Sequence, residues 1–453
     1  MGVPVGVSVR ARRAPTATLL IVVANALAYA ATSFRNAFLQ VEDYWVRAGG
    51  FAPVLAASPD QWHRVLTSMF LHADLFHVLF NMYTLYLLGR AVEGALGRAR
   101  FLALYVASGA AAAVFHTAFS FLGGPAAYSI PAIGASGAIS GVLGAFLLLF
   151  PGASLFVGWV FPFPVFLRVR AAHYLIFWFA TQVIYGYARL GGGVAVFAHA
   201  GGFVAGMALL PLVASGRRLA RLRAEPGSLL SYLFFRPARA EGLGAAKAVV
   251  AALVASLLAG AAYASAGPPA LGEVRVPTVR YALNGVHYVD YASFELKDFE
   301  GQLANVPLDA TRVLLTRLYA AGLLYDEARA GESRLISNWT TELLVRVRGR
   351  AIRVGLTVLH FSGSYDSEGF LRRGEGSLLT QVVYVDALGR VSLSPASYDF
   401  ELDSKTVDLA HLTQLTGLLS LIAAAASLAA VVMKDRELAV VSREEGWPLP
   451  LAL

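Results

Sequence analysis

The sequence predicts an all-α polytopic membrane protein in which two of the transmembrane helices flank a mainly β (α+β) soluble domain. Of its 453 residues, 57% are hydrophobic and only 15% are charged, against about 25% charged residues in an average soluble domain. Apolar stretches close to the membrane-spanning length of about 20 residues recur along the chain. Residues 267–411 differ, because polar and β-branched runs typical of strands dominate there.

Eight of these apolar stretches are long enough to be predicted as membrane spans. They lie at 15–33, 71–89, 101–122, 136–151, 173–189, 193–215, 247–266 and 412–433. The segment 154–167 is also apolar, but Pro151, Pro162 and Pro164 interrupt it. Because proline removes a backbone donor that lipid cannot replace, this segment is predicted to be an interfacial loop.

The positive charge of the chain follows the predicted membrane topology. Residues 271–410 carry 15 Lys+Arg and 18 Asp+Glu, whereas the remaining residues carry 22 and 11. With a cytoplasmic N-terminus, 18 basic residues fall in the inside segments and only four in the short outside loops. This asymmetry is the positive-inside pattern, and it predicts both termini in the cytoplasm and residues 267–411 outside. Nucleic-acid binding is therefore not expected, since topology explains the basicity.

These observations predict seven consecutive segments. They are a cytoplasmic N-terminus at 1–14, a six-helix core at 15–215, a basic cytoplasmic linker at 216–246, a seventh transmembrane helix at 247–266, an extracytoplasmic domain at 267–411, an eighth transmembrane helix at 412–433 and a cytoplasmic tail at 434–453. The first apolar stretch is interpreted as a retained helix rather than a signal peptide, because more spans follow it. The complete lack of cysteine excludes disulfides in the outer domain and, with the bias to arginine, favours a prokaryotic cell membrane.

A layer of polar residues is predicted inside the six-helix core. Spans 2, 4 and 6 all enter from the outer face, so His77 with Asn81, Ser136, and His199 fall at similar depths. His199 is expected about two turns into its span, or roughly ten ångströms below the surface. Each residue alone is explained equally well by helix–helix hydrogen bonding. Together they predict a water-filled catalytic cavity, because such a cluster is costly in hydrocarbon.

Glycines flank Ser136 and follow His199 in the sequence. They are Gly134, Gly137, Gly141 and Gly144 around Ser136, and Gly202 and Gly206 after His199. Close helix packing is their ordinary role, and here it also allows a hydroxyl–imidazole hydrogen bond of about 2.6 to 3.2 Å. The backbone amides of Ala135 and Ser136, at the start of span 4, are expected to point at a developing negative charge.

Four motifs give the chain a resemblance to the rhomboid intramembrane serine proteases. They are Gly134-Ala135-Ser136-Gly137; His199-Ala200-Gly201-Gly202 followed by Gly206; His72 with His77-Val78-Leu79-Phe80-Asn81; and Arg90-Ala91-Val92-Glu93-Gly94-Ala95-Leu96-Gly97. They resemble the family's Gly-x-Ser-Gly, its His-x-x-Gly-x-x-x-Gly helix, its second-helix His and Asn set, and the turn that ends that helix. Their order and spacing cover residues 15–215 and predict a rhomboid-like six-helix bundle.

The resemblance implies a role for each residue of the polar layer. Ser136 is implied as the nucleophile, His199 as its general base and then acid, and His77 and Asn81 as lining the oxyanion hole with the backbone of Ala135 and Ser136. No third carboxylate is implied, so the histidine must be oriented by its surroundings. Residues with implied structural roles are Gly134, Gly137, Gly202, Gly206, Arg64, Glu93 and His72.

Two positions depart from the family pattern. The family's Trp-Arg pair in the first outer loop is Trp62-His63-Arg64 here, with the tryptophan one residue early. Four residues after the serine, where the family often has an aromatic that stacks on the histidine, this chain has Ser140. Another side chain must therefore support His199.

The sequence favours an intramembrane serine endopeptidase acting near the outer membrane boundary, with transmembrane proteins as substrates and the bilayer as its environment. A rhomboid-like chaperone that binds client helices without cutting them is the alternative, and a channel or transporter is a third class. The third class is disfavoured because the polar residues are confined to one layer. No metal or cofactor is expected, since the sequence has no HExxH motif or glycine-rich phosphate loop. Three roles are open for the 267–411 domain, namely to recruit substrates, to contact an extracytoplasmic protein partner or to shield the mouth of the active site.

Overall fold

A computed structural model describes residues 3–9, 14–159, 165–191, 194–224, 242–268, 271–295, 299–347, 350–385 and 390–440. The chain divides into two compact units. The first comprises Met1–Glu42, Gly49–Ala270 and Ala410–Leu453, and the second comprises Asp43–Ala48 and Leu271–Leu409. Most of the predicted basic linker, residues 225–241, and the end of the predicted tail, residues 441–453, lie outside the described residues.

Fourteen α-helices occur in the described residues. They are α1 Thr16–Ser33, α2 Asp43–Gly49, α3 His63–Thr67, α4 Leu75–Thr84, α5 Arg90–Leu96, α6 Arg98–Phe119, α7 Ser136–Leu149, α8 Ala171–Tyr187, α9 Val196–Val213, α10 Gly216–Ala224, α11 Ala246–Ser265, α12 Phe299–Leu303, α13 Asp309–Ala320 and α14 Leu409–Leu438. A π-helical turn, Leu85–Gly89, joins α4 to α5. The chain thus has a helix at each of the eight predicted spans.

Six helices of the described residues are long and apolar enough to cross a membrane. They are Thr16–Asn36, Leu75–Leu96, Arg98–Gly123, Val196–Val213, Ala246–Ser265 and Leu409–Leu438. The other two predicted spans are shorter helices, because α7 has 14 residues and α8 has 17. The protein is therefore a multi-pass membrane protein.

The predicted loop at 154–167 is wrong, because this segment forms part of a three-stranded sheet. The sheet consists of β1 Val3–Val7, β2 Ser154–Trp159 and β3 Val165–Arg170, in the order β1-β2-β3 with antiparallel pairing. Strand pairing satisfies the backbone polar groups that a broken helix would leave open. Pro162 and Pro164 lie in 160–164, outside the described residues. Because of this sheet, the first unit is not all-α.

Close packing of α7 against α9 forms the centre of the first unit. From Ala138 to Leu149 every residue of α7 is buried. A Cβ on Gly202 would lie 2.0 Å from the carbonyl oxygen of Gly137, and one on Gly206 would lie 1.9 Å from that of Gly141. Only glycine permits this backbone contact, which is the close helix packing expected of these glycines.

The second unit is an α+β domain built on a six-stranded antiparallel sheet. Its strands are β4 Glu273–Leu283, β5 Val286–Tyr291, β6 Ser333–Val347, β7 Arg350–Tyr365, β8 Leu371–Val385 and β9 Val391–Asp408, in the order β5-β4-β9-β8-β7-β6. Leu314 and Leu318 of α13 share a hydrophobic core with Leu356, Leu378 and Leu402 of the sheet. The chain as a whole is therefore α+β, which corrects the all-α description of the membrane protein.

Candidate active site

Ser136 and His199 are hydrogen-bonded to each other. Ser136 is the first residue of α7, and His199 is the fourth residue of α9. The Oγ of Ser136 lies 2.7 Å from Nε2 of His199, although 63 positions separate them in the chain. The glycine contacts between α7 and α9 bring the two backbones close enough for this bond. His199 lies one turn into its helix rather than two, because α9 begins at Val196 rather than at 193.

Helix α8 contributes two side chains to the surroundings of His199. The other ring nitrogen, Nδ1, lies 2.9 Å from Oε1 of Gln182. The ring of Trp178 lies 6.2 Å from the His199 ring, centroid to centroid, with 34° between their planes. Neither residue was identified from the sequence. The available signal was the i, i+4 spacing of Trp178 and Gln182, which places both on one face of the fifth predicted span.

Ser140, where an aromatic side chain was expected, faces its own helix backbone. Its Oγ donates to the carbonyl oxygen of Ser136 at 2.6 Å. This bond is the usual i to i−4 contact of a serine within a helix. The aromatic neighbour of His199 therefore comes from α8, as Trp178, and not from α7.

His77 reaches the same region from α4. Asp74 caps this helix, with its side chain accepting from the backbone N–H of His77 at 2.8 Å. The backbone N–H of Ala73 donates to Nδ1 of His77 at 3.3 Å, so Nδ1 is an acceptor and the proton belongs on Nε2. That Nε2 borders Gly134, where a Cβ would lie 2.8 Å from it and 3.6 Å from Oγ of Ser136. His77 thus presents an N–H donor beside the hydroxyl of Ser136.

Gly134 allows this approach for two reasons. Its φ of +121° is a backbone conformation that favours glycine. Any side chain would also collide with the imidazole of His77. The N–H of Gly134 donates to the carbonyl oxygen of Ser68 at 2.9 Å, which fixes the chain just before Ser136.

Asn81 and His72 both contact His77, one at its backbone and the other at its ring. Asn81 is buried one turn after His77, and its Nδ2 donates to the His77 carbonyl oxygen at 2.9 Å. His72 is fully buried, with its ring centroid 5.0 Å from that of His77 in an edge arrangement. Its Nε2 accepts from the N–H of Ala135 at 3.4 Å. The amide of Ala135, one of the two amides expected at the oxyanion, therefore has an acceptor in His72.

Two further predicted residues stabilise the fold near the ends of helices. The carboxylate of Glu93 accepts from the N–H groups of Ala17 and Thr18 at 3.0 and 2.8 Å, and from the Thr18 hydroxyl at 2.7 Å. It thereby caps the start of α1. Arg64 is buried and donates to Oε1 of Gln61 at 2.7 Å and to the carbonyl oxygen of Gly50 at 3.1 Å.

In the described part of the chain, no group of three His, Cys, Asp or Glu side chains is arranged to hold a metal ion. What the cluster does contain is a hydroxyl bonded to an imidazole, a second imidazole whose Nε2–H borders Gly134, and the start of a helix. This combination can activate a nucleophile and stabilise a negative charge next to it.

Comparison with known proteins points to the same part of the chain. Residues 59–216 match the family model of the rhomboid domain. The chain is 40% identical over 87 residues to the rhomboid protease GluP of Bacillus subtilis, which covers 19% of this chain and 16% of GluP. It is 31% identical over 155 residues to the rhomboid protease AarA of Providencia stuartii, covering 32% of this chain and 53% of AarA.

A third relative is the rhomboid-type serine protease 2 of Emericella nidulans, 30% identical over 152 residues, or 34% of this chain and 27% of the relative. The matched part of this chain thus spans between 16% and 53% of the length of these relatives. The family match includes Ser136 and His199 and ends at Gly216, shortly after α9. The chain is therefore a multi-pass membrane protein that carries a rhomboid domain at residues 59–216.

Proposed function

We propose that this protein is an intramembrane serine endopeptidase that cleaves transmembrane protein substrates near the outer membrane boundary. The observation that carries the proposal is the 2.7 Å contact between Oγ of Ser136 and Nε2 of His199. A serine hydroxyl is a weak nucleophile until a neighbouring base accepts its proton. An imidazole at hydrogen-bond distance is the base that serine hydrolases use.

The reaction passes through an acyl-enzyme. Nε2 of His199 takes the Oγ proton as Ser136 attacks the scissile carbonyl carbon, and the same proton is then given to the leaving amine. A water molecule entering from the outer side donates its proton to His199 and attacks the ester carbonyl. Collapse of that second intermediate releases the carboxylic acid and returns the proton to Ser136.

The negative charge on the carbonyl oxygen needs donors beside Ser136. The Nε2–H of His77 is one such donor. A Cβ placed on Gly134 would lie 2.8 Å from this nitrogen and 3.6 Å from Oγ of Ser136, so the donor is near the nucleophile. The amide of Ser136, in the first turn of α7, is the second, because the first amides of a helix have no acceptor within it. Asn81 supports this hole through its bond to the His77 carbonyl oxygen.

The substrate is a membrane helix that has to unwind before its carbonyl groups become accessible. Glycine or proline near the cleavage site eases that unwinding, because both weaken helical structure. Cleavage near the outer boundary follows from the charge asymmetry, which favours cytoplasmic termini and an extracytoplasmic 267–411 domain. In this arrangement the core at 15–215 cuts, and the 267–411 domain, between membrane helices at 247–266 and 412–433, meets an extracytoplasmic partner.

A fluorophosphonate probe tests the proposal, because it reacts covalently with an activated serine. The full-length protein in detergent is expected to be labelled, and Ser136→Ala and His199→Ala are expected not to be. Thr117→Val is the matched control, since this buried threonine of α6 bonds only its own helix, through the Ala113 carbonyl oxygen at 2.9 Å, in the described structure. Labelling of Ser136→Ala at the wild-type rate would refute the protease and favour the client-binding chaperone.

A further inference from the structure

We infer that Gln182 of α8 is a positioning residue for His199, and that it holds the imidazole in the tautomer able to accept the Ser136 proton. The inference rests on the proposed function, because it concerns the same dyad. It starts from a row of three side chains, with Oε1 of Gln182 lying 2.9 Å from Nδ1 of His199 and Nε2 of His199 lying 2.7 Å from Oγ of Ser136. The family motifs did not include Gln182.

The amide of Gln182 faces His199 with its oxygen, and Thr181 explains why. The hydroxyl of Thr181 donates to the carbonyl oxygen of Trp178 at 2.6 Å, so its oxygen is left to accept. The Nε2 group of Gln182 lies 3.3 Å from that oxygen and is its donor. With the nitrogen assigned to Thr181, the oxygen of the amide must point to His199.

An amide oxygen can only accept a hydrogen bond, so Nδ1 of His199 must carry its proton. A neutral imidazole has one proton, and Nε2 therefore keeps a lone pair facing the Ser136 hydroxyl. The opposite tautomer would place two donors, Nε2–H and Oγ–H, against each other. Gln182 thus selects the state of His199 in which it acts as a base.

Trp178 completes this support from the same face of α8. Its ring lies against His199 and also against Phe203 of α9, with centroids 5.9 Å apart. The imidazole is therefore flanked by a hydrogen bond at Nδ1 and by a tilted aromatic ring. An amide does this without adding a second charge at membrane depth, where a carboxylate would carry a large desolvation cost.

The predicted effect of losing the acceptor is kinetic. In a carboxylate triad, replacing the acceptor by an amide that stabilises the wrong tautomer lowers kcat about 10⁴-fold. Gln182 is neutral and stabilises the imidazolium less than a carboxylate does, so we expect a drop of roughly 10- to 100-fold in the maximal labelling rate. The concentration of probe giving half-maximal rate is expected to stay the same, because Gln182 acts through Nδ1 of His199.

The test compares Gln182→Met, which keeps the length of the side chain but cannot accept well, with Gln182→Glu, which keeps an acceptor oxygen. The full-length protein is reconstituted in vesicles, and the labelling rate is measured against fluorophosphonate concentration. Gln182→Met is expected to lose maximal rate and Gln182→Glu to recover at least a third of it. Thermal unfolding of each variant identifies changes that come from misfolding, and Thr117→Val provides the control.

Two results would overturn the inference. One is a Gln182→Met protein with the wild-type maximal rate, and the other is a folded Gln182→Glu protein as slow as Gln182→Met, which would assign the residue a packing role. If Gln182→Glu does not fold, the maximal labelling rate of Gln182→Met alone decides whether the inference stands. Failure of the proposed function is recognised separately, because Ser136→Ala would then keep its labelling whatever occupies position 182.

Discussion

The guanidinium of Arg47 is paired with the carboxylate of Asp290, a residue 243 positions later in the chain. Both side chains are buried, and the arginine also donates to the carbonyl oxygen of Tyr291 and lies 3.9 Å above its ring. Asp43–Ala48, which contains Arg47, belongs to the second unit together with Leu271–Leu409. A short segment from the first third of the chain is therefore an integral part of the C-terminal α+β domain.

Arg47→Met is expected to destabilise the second unit strongly. The substitution leaves the buried Asp290 carboxylate without its cation, which typically costs about 3 to 5 kcal/mol. Thermal unfolding and limited proteolysis of the domain measure the loss. Arg353→Met is the control, because Arg353 pairs with Glu342 at 3.9 Å on an exposed surface, where a pair contributes only about 0 to 1 kcal/mol. Equal stability of the two variants would contradict this reading of the buried pair.

His77→Ala is expected to slow cleavage of a transmembrane substrate by roughly 10²- to 10³-fold in kcat, the usual effect of removing an oxyanion-hole donor. KM should change little, because the donor acts on charge that develops only during the reaction. Phe76→Ala, which removes the neighbouring side chain that is 71% exposed, serves as control. A change in KM with kcat unaltered, or an equal loss of kcat in both variants, would speak against the role of His77.

Gly206→Ala is expected to separate α7 from α9. The new methyl group would meet the carbonyl oxygen of Gly141 at 1.9 Å, and a backbone atom in a packed helix cannot yield as a side chain can. Overpacking of this kind typically costs about 1 to 3 kcal/mol. The unfolding temperature and the rate of serine labelling should fall together, because the same packing aligns the dyad.

Gly216→Ala is the matched control for this variant, since a Cβ at Gly216 would meet nothing within 4 Å. It should leave both the unfolding temperature and the labelling rate close to those of the wild type. If Gly206→Ala behaves like Gly216→Ala, the dyad does not depend on the glycine contact.

Membrane orientation can be measured directly because the chain contains no cysteine. Ser367→Cys places one thiol at an exposed position of the second unit, and Arg217→Cys places one at an exposed position of α10. In intact cells an impermeant maleimide is expected to label Ser367→Cys and to label Arg217→Cys only after the membrane is opened. The reverse pattern would invert the predicted topology.

The site was predictable where its residues lie on helices that the hydropathy pattern defines. Ser136, His199, His77 and Asn81 could be grouped because they lie on alternate spans at similar positions, and glycine spacing indicated that α7 and α9 approach each other. Gln182 and Trp178 could not be assigned, because the rotation of α8 about its axis is set by packing and not by its own sequence. Ser140 showed that the expected aromatic neighbour of His199 is missing from α7, but only the three-dimensional arrangement identifies Trp178 as the aromatic residue beside it.

Long-range pairing accounts for most of what the sequence did not predict about the fold. The interruption by prolines at 151, 162 and 164 correctly excluded a membrane helix, but no local signal connected β2 and β3 to a strand formed by Val3–Val7. The Arg47–Asp290 pair has the same character. In both, the partner lies at least 148 positions away, as Val7 does from Leu155, so local propensity holds no information about it.

The small sheet at the start of the chain also sets an order of events during synthesis. Val3 pairs with Gly158, so β1 has no partner until α7 and β2 have left the ribosome. At about 5 to 20 residues per second, the first strand waits for roughly 8 to 30 seconds with open backbone groups. An open strand edge invites pairing with other chains. The arginines at 10, 12 and 13 stand beside it in the sequence, where like charges on neighbouring nascent chains would keep such edges apart.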